Sequence, residues 1–235
     1  MAIGSLRKDG ITTYMKQGRL ILRSANSMER RSNTLPQFIQ RQKMRHSVAL
    51  WKMLKYCEPM FTEGTTAYNN FMSLANRLPV LYVEKVLMDQ TSFLMPGIPV
   101  SDGSLPELKQ ELGEVDGIPA LITGLEGKDY GCWAELWLFT AVQTGTCLDL
   151  RVKFSKRQLA WEDLALSDGR YVLKGDEFSD TMKGWALVLV KGERCSPQSI
   201  VTRCTLYKEY MTKEALEKAA DSYGGLTDSW NYRVP

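Results

Sequence analysis

Histidine is the usual proton carrier in acid–base and nucleophilic catalysis, and this chain contains one, His46. It stands between Arg45 and Ser47 in a predicted helix, where the surrounding positive charge disfavours its protonation. Cys57 follows in the sequence, but a cysteine–histidine dyad also needs a third, orienting group and a pocket, and no sequence pattern supports either. The residues therefore favour a histidine on the helix surface or in an interface over a catalytic one.

Two pairs of neighbouring carboxylates offer the other common acid–base chemistry. They are Glu162 with Asp163, and Asp176 with Glu177. Adjacent residues on a strand point to opposite faces, and both pairs fall in predicted loops, so solvated charge is the favoured interpretation. The glycines form neither a dinucleotide-binding nor a phosphate-binding loop motif. The sequence thus predicts no catalytic site and no cofactor, although a hydrolase site assembled from distant residues stays open.

The cysteines are five in number and widely spaced: Cys57, Cys132, Cys147, Cys195 and Cys204. None forms a Cys-x-x-Cys pair, and one histidine cannot complete the four-ligand sets that structural zinc requires. The pattern predicts no metal site and favours buried, reduced thiols.

Charge is strongly segregated along the chain. Residues 1–56 contain 12 Lys/Arg and 2 Asp/Glu, a balance of +10, whereas the remaining residues contain 18 and 25, a balance of −7. Such asymmetry concerns partners rather than fold. The predicted partner-binding residues are nine basic side chains of this segment: Arg19, Arg23, Arg30, Arg31, Arg41, Lys43, Arg45, Lys52 and Lys55.

Two kinds of partner fit these basic residues. They could neutralise nucleic-acid phosphates, which would give salt-dependent binding, with Tyr14 and Trp51 as candidate stacking residues. Trp51, however, lies on the apolar stripe of a predicted helix, and no helix-turn-helix or RNA-binding signature accompanies the charge. A protein partner, including the acidic part of another copy of the chain, is the favoured alternative.

The elements that position these residues begin with a predicted hairpin over residues 11–23, turning at Gln17 and Gly18. A polar arm (residues 24–33) leads to a helix that starts at a Thr34–Gln37 capping box and ends near Cys57, because Pro59 disfavours helical geometry in the residue before it. A second helix is predicted from residue 65 or 66 to about 77. The two helices should pack as an antiparallel hairpin.

The sequence pattern changes after Pro79 from helical to strand-like and linker-like. Residues 80–87 predict a strand, and a proline- and glycine-rich passage through Gly103 is the best linker candidate. Strand-like runs follow at residues 120–125, 133–142, 148–154, 171–174, 185–191 and 199–207, with alternating charged residues in several of them. A last helix is predicted at residues 213–222, stopping at Gly224 and Gly225.

The predicted fold class is therefore α+β. A β-hairpin and a helical hairpin precede an antiparallel, immunoglobulin-like β-sandwich and a short C-terminal helix. We divide the chain into a basic hairpin-arm-helix module (residues 1–78), a strand and linker (79–118) and the sandwich (119–235). No apolar run reaches the roughly 18–20 residues needed to span a bilayer, and the first ten residues lack a signal-peptide core. We expect cytoplasmic synthesis and no membrane partner.

The order of features at the N-terminus resembles a family of small proteins found in phages, prophages and Bacteroidota genomes. The resemblance covers roughly residues 4–78 and rests on spaced single residues: Gly10, Tyr14, Gly18, Arg19, Arg23, Ser24, Asn33, Thr34, Gln37, Arg41, Trp51, and Tyr68 to Phe71 of the second helix. That family has no established catalysis, and its phage members resemble virion-associated structural proteins.

The resemblance implies a non-catalytic structural or assembly protein, a phage-related virion component that docks on neighbouring subunits through its basic N-terminal module. The expected partners are protein subunits of a larger assembly, including other copies of the chain, and the expected location is the virion. Unpaired strand edges of a short hairpin would suit such docking. The alternative expectation is a nucleic-acid-binding protein that uses the same basic segment.

Overall fold

The structure, a computed structural model, describes residues 6–8, 11–16, 19–24, 35–61, 66–126, 134–145 and 150–224. The helices in these ranges are α1 (Leu35–Leu54), α2 (Ala67–Ala75), α3 (Lys85–Gln90) and α4 (Lys213–Ser222). Helices and antiparallel sheets occur together, so the predicted α+β class is confirmed. No helix within the described ranges is long and apolar enough to cross a membrane.

The strands of the described ranges form four sheets, and all neighbours are antiparallel except β4 and β5. The sheets are ordered β1-β2-β3, β14-β5-β4, β10-β11-β7-β6 and β13-β12-β8-β9, and β15 also pairs with β12. Their bounds are β1 (Leu6–Lys8), β2 (Ile11–Lys16), β3 (Arg19–Ser24), β4 (Met60–Phe61), β5 (Pro99–Asp102), β6 (Gln110–Val115), β7 (Ile118–Glu126), β8 (Glu135–Thr144), β9 (Arg151–Leu159), β10 (Ala165–Ser167), β11 (Arg170–Lys174), β12 (Lys183–Lys191), β13 (Arg194–Cys195), β14 (Gln198–Ser199) and β15 (Val201–Thr202).

The predicted N-terminal hairpin is confirmed as β2 and β3. Their register places Lys16 opposite Arg19, so Gln17 and Gly18 are the two connecting residues, and both lie outside the described part of the chain. The sequence did not predict β1, which adds a third strand on the far side of β2. β3 is therefore an edge strand of a three-stranded sheet.

The predicted helical hairpin is also confirmed. Gln40 of α1 donates to Asn76 just beyond α2 at 3.4 Å, while the ring of Trp51 lies 5.4 Å from that of Phe71, so the two helices run antiparallel. α2 begins where predicted, because the Thr66 hydroxyl accepts from a backbone N–H in the first turn. The predicted capping box of α1 depends on Thr34, which lies outside the described residues.

The five-stranded sheet built on β12 and β8 is buried on both faces. One face packs against the helices in what we call the helix-side cluster, which includes Leu50, Leu54, Phe71, Phe93, Phe139, Ala141, Val152, Ala186 and Val188. The other face packs against the four-stranded sheet in the inter-sheet cluster, which includes Leu121, Leu136, Leu138, Leu173, Trp185, Leu187 and Leu189. Successive β12 residues thus enter opposite clusters, which explains its unbroken apolar run.

A side chain closes the outer edge of β12 where no strand pairs with it. β13 and β15 pair with the two ends of β12, so the backbone of Leu187 in the middle meets neither strand. Gln110 of β6 fills this gap, because its Oε1 accepts from the Leu187 N–H at 2.9 Å and its Nε2 donates to the Leu187 carbonyl. The same Nε2 donates to Gln198. We call this arrangement the Gln110 clasp.

Two sheets facing each other across the inter-sheet cluster give a sandwich-like arrangement, but an immunoglobulin-like fold is not confirmed. The helices form a third layer, so the molecule stacks α1 and α2, the five-stranded sheet and the four-stranded sheet. A third cluster of Phe38, Ala219 and Ala220 joins α1 to α4. α4 itself ends at Ser222 as predicted, and Gly224 follows with a φ of 102°.

Three element predictions after residue 79 were wrong. Residues 80–84 form no regular element, and residues 85–90 form α3, in which the neighbours Leu87 and Met88 are about 100° apart and are buried on one side. Residues 199–207 contain the end of β14, the two-residue strand β15 and the start of a 3₁₀ turn, Leu206–Tyr210, rather than one continuous strand. The sequence also missed β6, which had been included in the linker.

The domain division stays a prediction, although the helix-side cluster joins its parts. Leu50, Leu54 and Phe71 from residues 1–78 pack with Phe139 and Val188 from residues 119–235. The proline- and glycine-rich passage contributes Ile98 and Val100, which have no exposed surface, together with the fully buried Leu94 and Met95 just before it.

Candidate functional site

Three of the nine predicted partner-binding residues share one face of α1. Arg41, Arg45 and Lys52 are spaced by 4 and 7 residues, which confines them to an arc of about 40° on a helix with 3.6 residues per turn. All three are exposed, and the helix contains no acidic residue. The guanidinium carbon of Arg45 lies 4.8 Å from the ring centre of Tyr223, which orients it over the end of α4.

Two further predicted residues lie on or after α1 but differ in their surroundings. Lys43 is half-buried on the opposite side of the helix, and burial lowers the pKa of its amine. Lys55 is exposed in the 3₁₀ turn after α1, with its Nζ 4.8 Å from the ring centre of Tyr56. Lys43 is therefore separated from the exposed basic face of α1.

The remaining four predicted residues belong to the N-terminal segment. Arg19 opens β3 and is exposed, whereas for Arg23 only the position in β3 is described. Arg30 and Arg31 lie outside the described residues. The structure therefore brings Arg41, Arg45 and Lys52 together and does not relate them to the other basic residues of the N-terminal segment.

β3 also carries two exposed leucines. Leu20 is 61% exposed and Leu22 is 66% exposed, and residues two apart on a strand point to the same face. Neither belongs to any of the three apolar clusters. The arginines of this strand were predicted as partner-binding residues from the sequence, and its leucines were not.

The basic face of α1 continues onto β9, which the sequence assigned to the acidic part of the chain. α1 packs beside β9, and Arg151 lies across a groove from Arg45 and Lys52. Lys153 and Arg157 are exposed on the face of β9 opposite to Val152 of the helix-side cluster, so they point away from α1. We call Arg41, Arg45, Lys52 and Arg151 the cationic face. The sequence shows alternating charged residues at 148–154. They were not predicted as partner-binding residues, because the C-terminal part of the chain is acidic overall.

His46 is buried, so the expectation of a surface or interface histidine was wrong. It is 4% exposed, and its ring lies 6.1 Å from that of Phe93 in the helix-side cluster. Burial lowers the pKa of the imidazole to about 4, whereas the sequence had attributed the disfavoured protonation to neighbouring charge. Neither ring nitrogen has a hydrogen-bond partner among the residues that the structure describes.

The cysteine at the end of α1 is not activated for chemistry. Burial raises the pKa of the Cys57 thiol to about 11, against the opposing effect of Lys156. Cys195 and Cys204 are also buried, as predicted, and burial raises the pKa of Cys195. Cys132 and Cys147 lie outside the described residues. Within the described ranges, no three His, Cys, Asp or Glu side chains are placed to hold a metal ion.

The two carboxylate pairs are solvated, as predicted. Glu162, Asp163, Asp176 and Glu177 are all exposed, in or beside 3₁₀ turns. Asp163 accepts a hydrogen bond of 3.1 Å from the backbone of Ala160, which is a capping contact. The best-formed candidate sites are thus two binding surfaces, the cationic face and the exposed strand β3.

Comparison with known proteins gives no match. No protein-family model matches the chain, and neither the curated proteins nor the solved structures contain a significant match to it.

Proposed function

We propose that the protein is a non-catalytic assembly component whose N-terminal module, residues 1–78, docks on another copy of the same chain. The observation that carries this proposal is the exposure of Leu20 and Leu22 on the edge strand β3. Two large apolar side chains on one face of a small sheet favour a protein contact, because covering them removes apolar surface from water. Among the described strands the outer edge of β3 has no partner, and it adds backbone groups that a second chain can pair with.

Charge supports another copy of the chain as the partner. Residues 1–56 have a balance of +10 and the rest of the chain −7, so the N-terminal module of one copy is attracted to the body of the next. Such a contact joins two different surfaces, and it closes into a ring when the rotation between copies allows. The virion setting is supported by the phage members of the family that residues 4–78 resemble.

The experiment is light scattering coupled to size-exclusion chromatography over a wide concentration range. We expect the wild-type chain to self-associate, and the Leu20→Ser/Leu22→Ser variant to raise the dissociation constant at least tenfold, because each buried leucine contributes roughly 1.5–3 kcal/mol. Leu166→Ser is the matched control, since Leu166 is 63% exposed on β10 in the four-stranded sheet. A strict monomer at high concentration, with no partner protein co-purifying, contradicts the proposal.

A second candidate function is nucleic-acid binding, favoured by the cationic face. Arg41, Arg45, Lys52 and Arg151 come from two elements and present positive charge without an acidic residue on α1. Such a surface can neutralise several phosphates of one nucleic-acid backbone.

Fluorescence anisotropy with a labelled DNA duplex tests this second candidate. Binding that survives roughly 200 mM salt and is lost in Arg41→Glu/Arg45→Glu supports it. Lys208→Glu/Lys213→Glu is the matched double reversal, because both lysines are exposed at the α4 end of the chain. Binding that disappears at modest salt, or that both double variants weaken equally, contradicts a specific nucleic-acid site.

A further inference from the structure

A groove of about 650 Å³ runs between α1, α3 and the first residue of β9. This volume is within the range of small-molecule sites, which is roughly 300–1,000 Å³. Nucleic-acid binding would use the cations of the groove, Arg45, Lys52 and Arg151, but not its apolar lining. Its floor and its rim differ in character, and the two together define what it can bind.

Most of the buried and half-buried residues that line the groove are apolar, and the buried hydroxyl residues Thr91 and Ser92 line it beside them. Val48 and Ala49 supply the apolar floor from α1, and Met88 supplies it from α3. Met88 is 6% exposed, and the two α1 residues are half-buried. Met44 and Met53 flank them, and methionine side chains adapt to irregular apolar ligands. Such a floor favours an aliphatic or aromatic group over water.

The rim of the groove is cationic. Arg45 and Lys52 stand seven residues apart on one face of α1, about 10 Å along the helix axis, and Val48 and Ala49 lie between them. Arg151 lines the groove from β9. Asp89 is the one carboxylate among the lining residues, so three cations and one anion surround the apolar floor. Arginine binds phosphate and carboxylate groups in a planar, bidentate way.

We propose that this groove binds an organic anion, a phosphate or carboxylate that carries a short apolar chain or ring. The apolar part lies on Val48, Ala49 and Met88, and the anionic group meets the cationic rim. Apolar burial supplies affinity, and the rim selects negative charge, which interacts more strongly in a concave site than on an open surface. This site is separate from the proposed docking strand β3, so either proposal can fail without the other.

Isothermal titration calorimetry with decyl phosphate, kept below its micelle concentration, tests the proposal. We expect binding that weakens at least tenfold in Lys52→Gln/Arg151→Gln. The matched control is Lys55→Gln/Lys153→Gln, which removes one cation from the same helical segment and one from the same strand, both outside the groove lining. The control variant should bind as the wild type does, and circular dichroism of all three proteins verifies the fold.

Three further probes separate the parts of the proposal. Inorganic phosphate should bind at least tenfold more weakly than decyl phosphate, because it cannot use the apolar floor, and equal binding overturns that role. Decyltrimethylammonium should not bind, and binding equal to that of decyl phosphate overturns selection by the rim. Binding to phosphatidylglycerol vesicles as well as to decyl phosphate indicates a lipid headgroup, and binding to decyl phosphate alone indicates a free ligand. No binding of decyl phosphate, or equal weakening in both double variants, also overturns the proposal.

Discussion

At the scale of single residues, His46 has the largest consequence for how the stability of the fold depends on pH. An apolar residue at this position of α1 would continue the stripe formed by Phe38, Leu50 and Leu54. Instead the buried side of the helix carries Gln42, His46 and Ser47, and within the described part of the chain neither ring nitrogen of the histidine has a hydrogen-bond partner. A charged imidazole in this position would be strongly disfavoured, so the ring is held neutral.

The first prediction concerns acid stability. The folded-state pKa of His46, about 4, lies below the unfolded value of 6.5, so between those values the unfolded chain binds more protons. Stability is therefore lost as the pH falls through this window, by about 2 kcal/mol between pH 7 and pH 5 from these two pKa values. In His46→Gln this loss should be absent. Urea unfolding at several pH values measures it.

The chain provides a direct control for that prediction, because His46 is its only histidine. The imidazole proton resonance of the folded protein should titrate near pH 4, without interference from another histidine. Parallel loss of stability in the wild type and in His46→Gln between pH 7 and pH 5 would contradict the assignment. Carboxylates titrate in both proteins and cancel in the comparison.

At the scale of elements, the Gln110 clasp connects the edge strand β6 to the middle of β12. It satisfies the N–H and the carbonyl of Leu187, which are buried and lack a neighbouring strand. Gln198, itself buried, donates to the carbonyl of Leu108 at 3.0 Å and so holds the same region to the segment before β6. The clasp is therefore a hydrogen-bonded joint between the two sheets.

The second prediction is that Gln110→Leu lowers the free energy of unfolding by about 2–4 kcal/mol. The variant leaves two backbone groups of Leu187 unpaired, and each unpaired buried group costs roughly 1–3 kcal/mol. Gln158→Leu is the matched control, because Gln158 is exposed on β9. Equilibrium denaturation measures both variants, and equal effects at the two positions would argue against the clasp.

Local signals explain which elements the sequence could predict. The hairpin β2–β3 and the helices α1, α2 and α4 carry turn, capping or periodic patterns that need no distant partner. The hairpin β6–β7 carried such a signal too, since Asp116 and Gly117 connect it and adopt φ values of 55° and 74°. Both positive angles fit a two-residue hairpin turn. The hairpin is absent from the predicted elements because the strand Gln110–Val115 is polar and half-exposed and so lacks an apolar alternation.

At the scale of the whole molecule, the central sheet makes the layers interdependent. Phe139 and Val188 face α1 and α2, while Leu138 and Leu187 on the same strands face the four-stranded sheet. Removing either layer exposes one entire face of the sheet. Because domains are stable by only about 5–15 kcal/mol, such exposure exceeds what the remaining contacts can offset.

The third prediction follows from this layering. A fragment of residues 79–235, which lacks α1 and α2, should fail to fold, although the predicted domain division allows it to fold. A fragment of residues 35–235 should unfold in one transition, with coincident tryptophan fluorescence and circular dichroism curves. Cooperative unfolding of the shorter fragment would support the division at residue 78. Binding of a hydrophobic dye to the folded-state ensemble of each fragment provides a second readout.

The candidate binding surface was only half predictable from the sequence. Arg41, Arg45 and Lys52 follow from helical spacing and the absence of acidic residues on α1. Arg151 joins them only because β9 packs beside α1, a contact between residues more than 90 positions apart. Leu20 and Leu22 were readable as strand residues, but their exposure depends on the absence of a covering layer. Such long-range packing cannot be inferred from one sequence's periodicity.

The Gln110 clasp also bears on how the chain behaves at high concentration. β12 contains six consecutive apolar residues, 185–190, of the kind that form intermolecular cross-β contacts when their edge is free. In the folded protein two short strands and one glutamine side chain cover that edge. Any change that displaces β6 therefore exposes the edge of β12, where a strand of another molecule can pair. The clasp therefore protects the folded protein against aggregation through this edge. In a variant without the clasp, the refolding yield should fall steeply as the protein concentration rises.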